Sequence, residues 1–200
     1  MRREICLCPE IAEFKQRLQP RTRVVVLMHH REAHLTTGTA KLAEQILPAC
    51  EIHLRGNENE ALDPAKILKE GETPLFLYPA EDAQVLSPEY LAELEGPFCL
   101  IVPDGSWRQA SKVHKRETFL ASVPRVVLKD DAPTAYKLRN EPKVGGLATF
   151  EAIARALGVL ESPELREEME KLFATMVKRT LDSRLGKTAT HAAMAALNDD

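Results

Sequence analysis

IVPDGSWRQASKVHKR, residues 101–116, decides how this chain is to be read. An apolar run stops at Asp104, and a basic segment with helical spacing begins within a few residues. A buried strand that delivers its carboxyl end to a helix has this form. Working outward, the same kind of apolar run recurs as VVVLM (24–28), EIHL (51–54), PLFLY (74–78), FCLIV (98–102) and RVVL (125–128). Their continuous character suits strands buried on both faces, as in a parallel sheet. Helical patterns lie between them. TGTAKLAEQILPA can be capped by Thr37 or Thr39; DPAKILKEG has Asp63 as cap, Pro64 at the first position and Gly71 as stop; SPEYLAELEG repeats the Ser-Pro start and Gly stop. RQASKVHKRETFLAS reads as one helix with Trp107, Ala110, Val113 and Leu120 along one side. Strand and helix in alternation predict an α/β fold, a mostly parallel sheet with helices on both faces.

Two hundred residues suffice for one full core, so a single domain over 1–200 is expected, with an N-terminal segment (1–20) and a C-terminal helical tail (160–200). No apolar run reaches membrane-spanning length and no signal-peptide pattern follows Met1, which leads us to expect a cytoplasmic protein with no membrane partner. The net charge of -3 conceals an asymmetry: residues 41–106 carry four Lys/Arg against thirteen Asp/Glu, residues 107–155 ten against five. The second stretch is a candidate polyanion surface. Cys50 and Cys99 sit in apolar surroundings and read as inert core thiols. Cys6 and Cys8 resemble half of a zinc site, but a second pair is missing, so no metal is expected. Phosphate-loop, dinucleotide, nucleophile-elbow and zinc-helix motifs are all absent.

In a parallel sheet the ligand edge is the carboxyl one, where the strand-to-helix loops converge. There Gly105 would let backbone approach a ligand, Asp104 supplies a carboxylate, and Trp107, the chain's only tryptophan, supplies a flat wall. The plainer alternative is a capped helix anchored by its tryptophan. Arg108, Lys112, Lys115 and Arg116 follow at spacings that bring them close to one helix face. Arg139, Lys137 and Lys143 on the long polar loop before TFEAIARAL would join them, a footprint suited to a folded RNA recognised by shape. His29, His30 and His34 surround Arg31 and read as an RNA-facing or hydrogen-bonded group rather than metal ligands.

The ordered set CLC, HHREAHLTTGTAKL, LYPAEDA, PDGSWRQA and YKLRNEPKVGGLATFEAIA resembles the DTW-domain family, over residues 4 to 160. Two departures stand out. The family's Asp-x-Thr-Trp is Asp-Gly-Ser-Trp here, which keeps a hydroxyl at Ser106, and the Cys-x-x-Cys that often precedes Cys-x-Cys is missing. The resemblance implies a SPOUT-like fold with a C-terminal trefoil knot and a tRNA-uridine aminocarboxypropyltransferase using S-adenosylmethionine. It places the donor around Leu77, Tyr78, Pro79, Asp104, Gly105, Trp107, Leu128, Tyr136, Leu147, Ala148 and Thr149. Asp104 is the expected catalytic carboxylate, accepting the uridine N3 proton or holding the donor's amino group. Arg31, Arg108, Lys112, Lys115, Arg116 and Arg139 are the expected tRNA contacts, and a monomer is expected. The alternatives are a SPOUT-type RNA methyltransferase, a noncatalytic RNA-binding module and, more remotely, a small-molecule hydrolase, for which Ser106 lacks a sequence-evident relay.

Overall fold

A computed structural model describes residues 5–35, 38–57, 61–129, 134, 136 and 146–185. Among these residues six strands, β1 (Arg23–His29), β2 (Cys50–Arg55), β3 (Thr73–Leu77), β4 (Gln84–Val85), β5 (Phe98–Asp104) and β6 (Arg125–Val127), form one sheet in the order β2-β1-β5-β3-β6-β4. The five pairings between these strands are parallel. Five strands fall where the apolar runs predict them. The sixth, β4, is two exposed residues inside what reads as a polar loop, too short to carry an apolar signature.

Eight helices accompany the sheet among the described residues: α1 (Cys8–Arg17), α2 (Ala40–Ile46), α3 (Pro64–Ile67), α4 (Pro88–Ala92), α5 (Trp107–Ala110), α6 (Val113–Arg116), α7 (Thr149–Leu160) and α8 (Pro163–Arg184). Asp63, Ser87 and Ser162 cap α3, α4 and α8 through their side chains, each followed by proline at the start of its helix. Thr39 does not cap α2 with its side chain; its hydroxyl accepts instead from the Phe150 N–H, 3.2 Å away.

Alternate strand residues pack on opposite faces, because side chains along a strand point to opposite sides. Val24, Val26, Met28, Leu100 and Val102 join Phe14, Ile46, Phe150, Ile153, Leu157 and Phe173 from α1, α2, α7 and α8. Val25, Leu27, Phe76 and Ile101 join Ile67, Val113, Leu120 and Val123 on the other. Each side chain so buried contributes about 1.5–3 kcal/mol relative to exposure. The central strands therefore bury both faces, and in a parallel sheet the carboxyl edge is where the strand-to-helix loops carry chemistry.

One expectation is corrected. Residues 108–122 do not form one helix: α5 ends at Ala110, α6 starts at Val113, and a 3-10 turn covers Thr118–Leu120. The Ser111 hydroxyl donates to the Arg108 carbonyl at 3.2 Å, and the Lys112 N–H goes to Gln109 O at 3.2 Å. A serine that bonds back to the preceding turn while the next N–H tightens to a 3-10 pattern interrupts the α ladder. Apolar residues still point inward, since Ala110, Val113 and Leu120 are buried. The cations, however, do not share one continuous helix face.

Candidate functional site

Asp104 is the last residue of β5 and lies opposite Met28 of β1. Its side chain is buried, 8% exposed, and the Thr149 hydroxyl at the start of α7 donates to its Oδ1 at 2.5 Å. A carboxylate in that setting is oriented by the fold rather than by solvent. Gly105 follows with φ 156°; a Cβ there would come within 3.0 Å of Gln109 Oε1 and 3.4 Å of the His29 Cβ. Close approach, rather than helix breaking, is what this glycine provides. The Ser106 N–H donates to Gln109 Oε1 at 2.7 Å, which ties down the turn into α5, and half-buried Trp107 is the first residue of that helix.

His29, the last residue of β1, packs between two strand ends. Its Nε2 is 3.1 Å from where a Cβ on Gly56 would stand, beyond β2, and its Cβ faces Gly105 beyond β5. The Arg31 N–H donates to His29 Nδ1 at 3.3 Å, and the His30 ring stands 4.7 Å away. Burial first, then the positive charges of His30, Arg55 and Arg31, hold its pKa below the ordinary imidazole value. The sequence reading missed His29 as a wall of this edge, because a histidine doublet gives no hint of which ring lies between glycines.

Leu77 ends β3 and is buried; Tyr78 is half-buried, with its ring 5.6 Å from that of His114, and Pro79 is exposed. The Tyr78 N–H bonds to Val126 O at 3.0 Å, which keeps the end of β3 beside β6 and the half-buried Leu128 beyond it. Ala148 is buried, with half-buried Leu147 and Thr149 on either side of it at the start of α7. Parallel register thus gathers His29, Leu77, Tyr78, Asp104, Gly105 and Leu128 on one edge, and the Thr149–Asp104 bond brings α7 to it. Tyr136 is placed differently, with its ring in the core 5.8 Å from Phe173 of α8.

Among the expected RNA contacts, Arg31, Arg108, Lys115 and Arg116 are exposed, and Lys112 is half-buried at the junction of α5 and α6. Arg139, with Lys137 and Lys143, lies outside the described residues. Buried Arg55, 2% exposed, pairs through Nε with Glu117 Oε1 at 3.1 Å and so ties the end of α6 to the end of β2. Cys50 and Cys99 are thiols pushed up to about 12 by burial, consistent with inert residues. Cys6 accepts from the Cys8 N–H at 3.4 Å, and no group of three or more His, Cys, Asp or Glu among the described residues is arranged to hold a metal. No helix among them is long and apolar enough to cross a membrane.

The sequence profile of the DTW domain matches residues 1–181. The chain is 30% identical over 185 residues to tRNA-uridine aminocarboxypropyltransferase 2 of Drosophila melanogaster, covering 90% of this chain and 72% of that protein. It is 27% and 28% identical to the proteins of the same name from Macaca fascicularis and Mus musculus, covering 82% of this chain and 56% of each of them. No solved structure matches.

Proposed function

The chain belongs to the DTW domain family, and from that premise we propose that it transfers the 3-amino-3-carboxypropyl group of S-adenosylmethionine to N3 of a uridine in tRNA. The observation that carries this reading is the Asp104–Thr149 pair, a buried, oriented carboxylate at the carboxyl edge of a parallel sheet, beside Gly105 and Trp107. We read the fold as SPOUT-like with a C-terminal trefoil knot, a reading supported in its α/β part by the six parallel strands. The protein acts in the cytoplasm on this view.

The residues present fit the donor. Trp107, Tyr78, Leu77 and Leu128 offer apolar and aromatic surface, and Asp104, held by the Thr149 hydroxyl, offers a carboxylate to the amino acid end, while Gln109 and His29 pack where a side chain at position 105 would stand. The donor supplies an electrophilic γ-carbon next to a sulfonium. N3 bonds to that carbon, the carbon-sulfur bond breaks, the electron pair stays on sulfur, and methylthioadenosine leaves. The N3 proton needs an acceptor, and the base must be unpaired because N3 lies on its pairing edge.

Asp104 accepts that proton or holds the transferring amino group. A position against the sulfonium would be counterproductive: attraction of about 4 kcal/mol at ~4 Å and an effective dielectric near 20 favours the ground state, whose charge vanishes in the transition state. Trp107 packs on the donor so that the γ-carbon, rather than the methyl, meets N3. Arg31, Arg108, Lys112, Lys115, Arg116 and Arg139 hold tRNA phosphates.

The test is incubation of the pure protein with unmodified tRNA and S-adenosylmethionine, followed by mass spectrometry of the nucleosides. The expected product is a uridine heavier by the aminocarboxypropyl group. A methyl increment would instead make the protein a methyltransferase, and unmodified tRNA would leave only an RNA-binding role. Asp104→Asn should lower transfer by about a hundredfold or more; donor affinity within about threefold then marks Asp104 as the proton acceptor, and a larger loss of affinity marks it as the group that holds the amino end.

A further inference from the structure

The start of α7 is held by two side chains from elsewhere in the chain and by one of its own. The Thr149 hydroxyl donates to Asp104, the Phe150 N–H donates to Thr39 Oγ1, and the Ala148 N–H donates to Glu151 Oε2 at 3.0 Å. The last of these alone would be an ordinary helix cap, a glutamate reaching back three residues. Two further facts separate it from one. The Thr134 hydroxyl, seventeen positions upstream of Glu151, donates to the same Oε2 at 2.6 Å, and Thr134 Oγ1 in turn accepts from the Tyr136 N–H at 3.0 Å. Glu151 is also only 2% exposed, whereas a cap needs no burial.

We propose that Glu151 is a positioning residue for the transfer step: it draws Thr134 and the Ala148 backbone to one carboxylate oxygen and thereby sets the Thr149 hydroxyl that orients Asp104. This rests on the function proposed above. Thr149 is the residue next to Ala148, so the place of its hydroxyl follows from where the Ala148 and Phe150 amides are pinned. A hydrogen bond weakens steeply once its angle or length departs from the optimum, and an ångström of misplacement at a reacting group costs about a hundredfold in rate. Side-chain bonds made in a buried, low-dielectric place resist such drift better than the same bonds in water.

The experiment measures kcat, donor KM, donor affinity by calorimetry and thermal midpoint for the intact protein and for Thr149→Val, Thr149→Ser, Thr134→Val, Glu151→Gln and Glu151→Leu. The expected result is a kcat about ten- to a hundredfold lower in Thr149→Val, with donor affinity within about threefold and rescue by Thr149→Ser. Glu151→Gln keeps an oxygen able to accept both bonds and should recover most of what Glu151→Leu loses. If Glu151→Leu does not fold, Thr134→Val carries the test, with kcat lowered about three- to tenfold at unchanged donor affinity. Unaltered kcat in Thr149→Val and Thr134→Val, a loss in Thr149→Val that serine does not restore, or losses confined to donor affinity or thermal midpoint would overturn the positioning role while leaving the proposed reaction intact. Absence of transfer by the unsubstituted protein would overturn both.

Discussion

His29 shows how one side chain can set a pH window. His30, Arg55 and Arg31 add positive charge around a ring already desolvated, and Glu32 opposes them. As pH falls through 6.5, the ordinary value, the unfolded chain takes up the proton before the folded protein does. Stability is therefore present above that pH, declines as pH drops towards the lowered folded value, and is lost below it. His114, also lowered by burial first and by Arg125 and Lys115, works in the same direction. Glu51, Glu10 and Glu168, whose values are lowered from 4.5, keep their contributions until the solution is more acid than that, so the range from 6.5 down to 4.5 reports the histidines. The thermal midpoint should fall between pH 7 and 5.5, and more shallowly in His29→Gln; parallel slopes for the two proteins would refute the assignment. Gly105→Ala should cost about 1–3 kcal/mol in urea denaturation, since its Cβ meets the Gln109 side chain at 3.0–3.1 Å with φ at 156°. Little of this was legible in advance. The Asp104, Gly105 and Trp107 group could be read from PDGSW, but the partner Thr149 stands 45 residues away, and nothing local ties Glu151 to Thr134.

At the scale of elements, the break between α5 and α6 redistributes the basic stretch. Helical spacing puts Arg108, Lys112, Lys115 and Arg116 near one face, yet the ladder stops at Ser111, so α5 carries Arg108 and α6 carries Lys115 and Arg116. Exposed cations release counterions from RNA more effectively than one half-covered at a junction. Neutralising Lys115 and Arg116 together should weaken tRNA binding and flatten the dependence of log K on log salt by about one to two units, with Lys112→Ala doing less. Filter binding at several salt concentrations reads this, and an unchanged slope would remove α6 from the RNA surface. The Arg55–Glu117 pair holds the end of α6 to β2, with the arginine side chain 3% and the glutamate 18% exposed. Glu117→Leu strands a buried cation and should cost about 3–5 kcal/mol in denaturant unfolding, whereas combining it with Arg55→Met should recover most of the loss. Equal stability of the single and double variants would show that the charge is not what matters there. Pairing across 62 residues has no local signature, so this tie was invisible to a reading by periodicity.

For the molecule as a whole, stability is graded across the sheet. β1, β5 and β3 sit inside the order with both faces covered, while β4 is a two-residue edge strand with Val85 41% exposed. Amide hydrogen exchange should be slowest in β1 and β5 and fast in β4; comparable protection in β4 would contradict that gradient. By itself the sequence determined the class of architecture and where five strands run, because continuous apolar runs with capped helices between them admit few other arrangements. It also determined the membership of the DTW family and the carboxylate, glycine and tryptophan at one strand end. Only the tertiary structure decided strand order, the sixth strand, the interruption of the basic helix, and which distant hydroxyls and carboxylates meet at α7. The physical reason is that hydrophobic periodicity is a local property of neighbouring residues. Hydrogen bonds and ion pairs between remote segments depend instead on how loop closure and packing bring their backbones together.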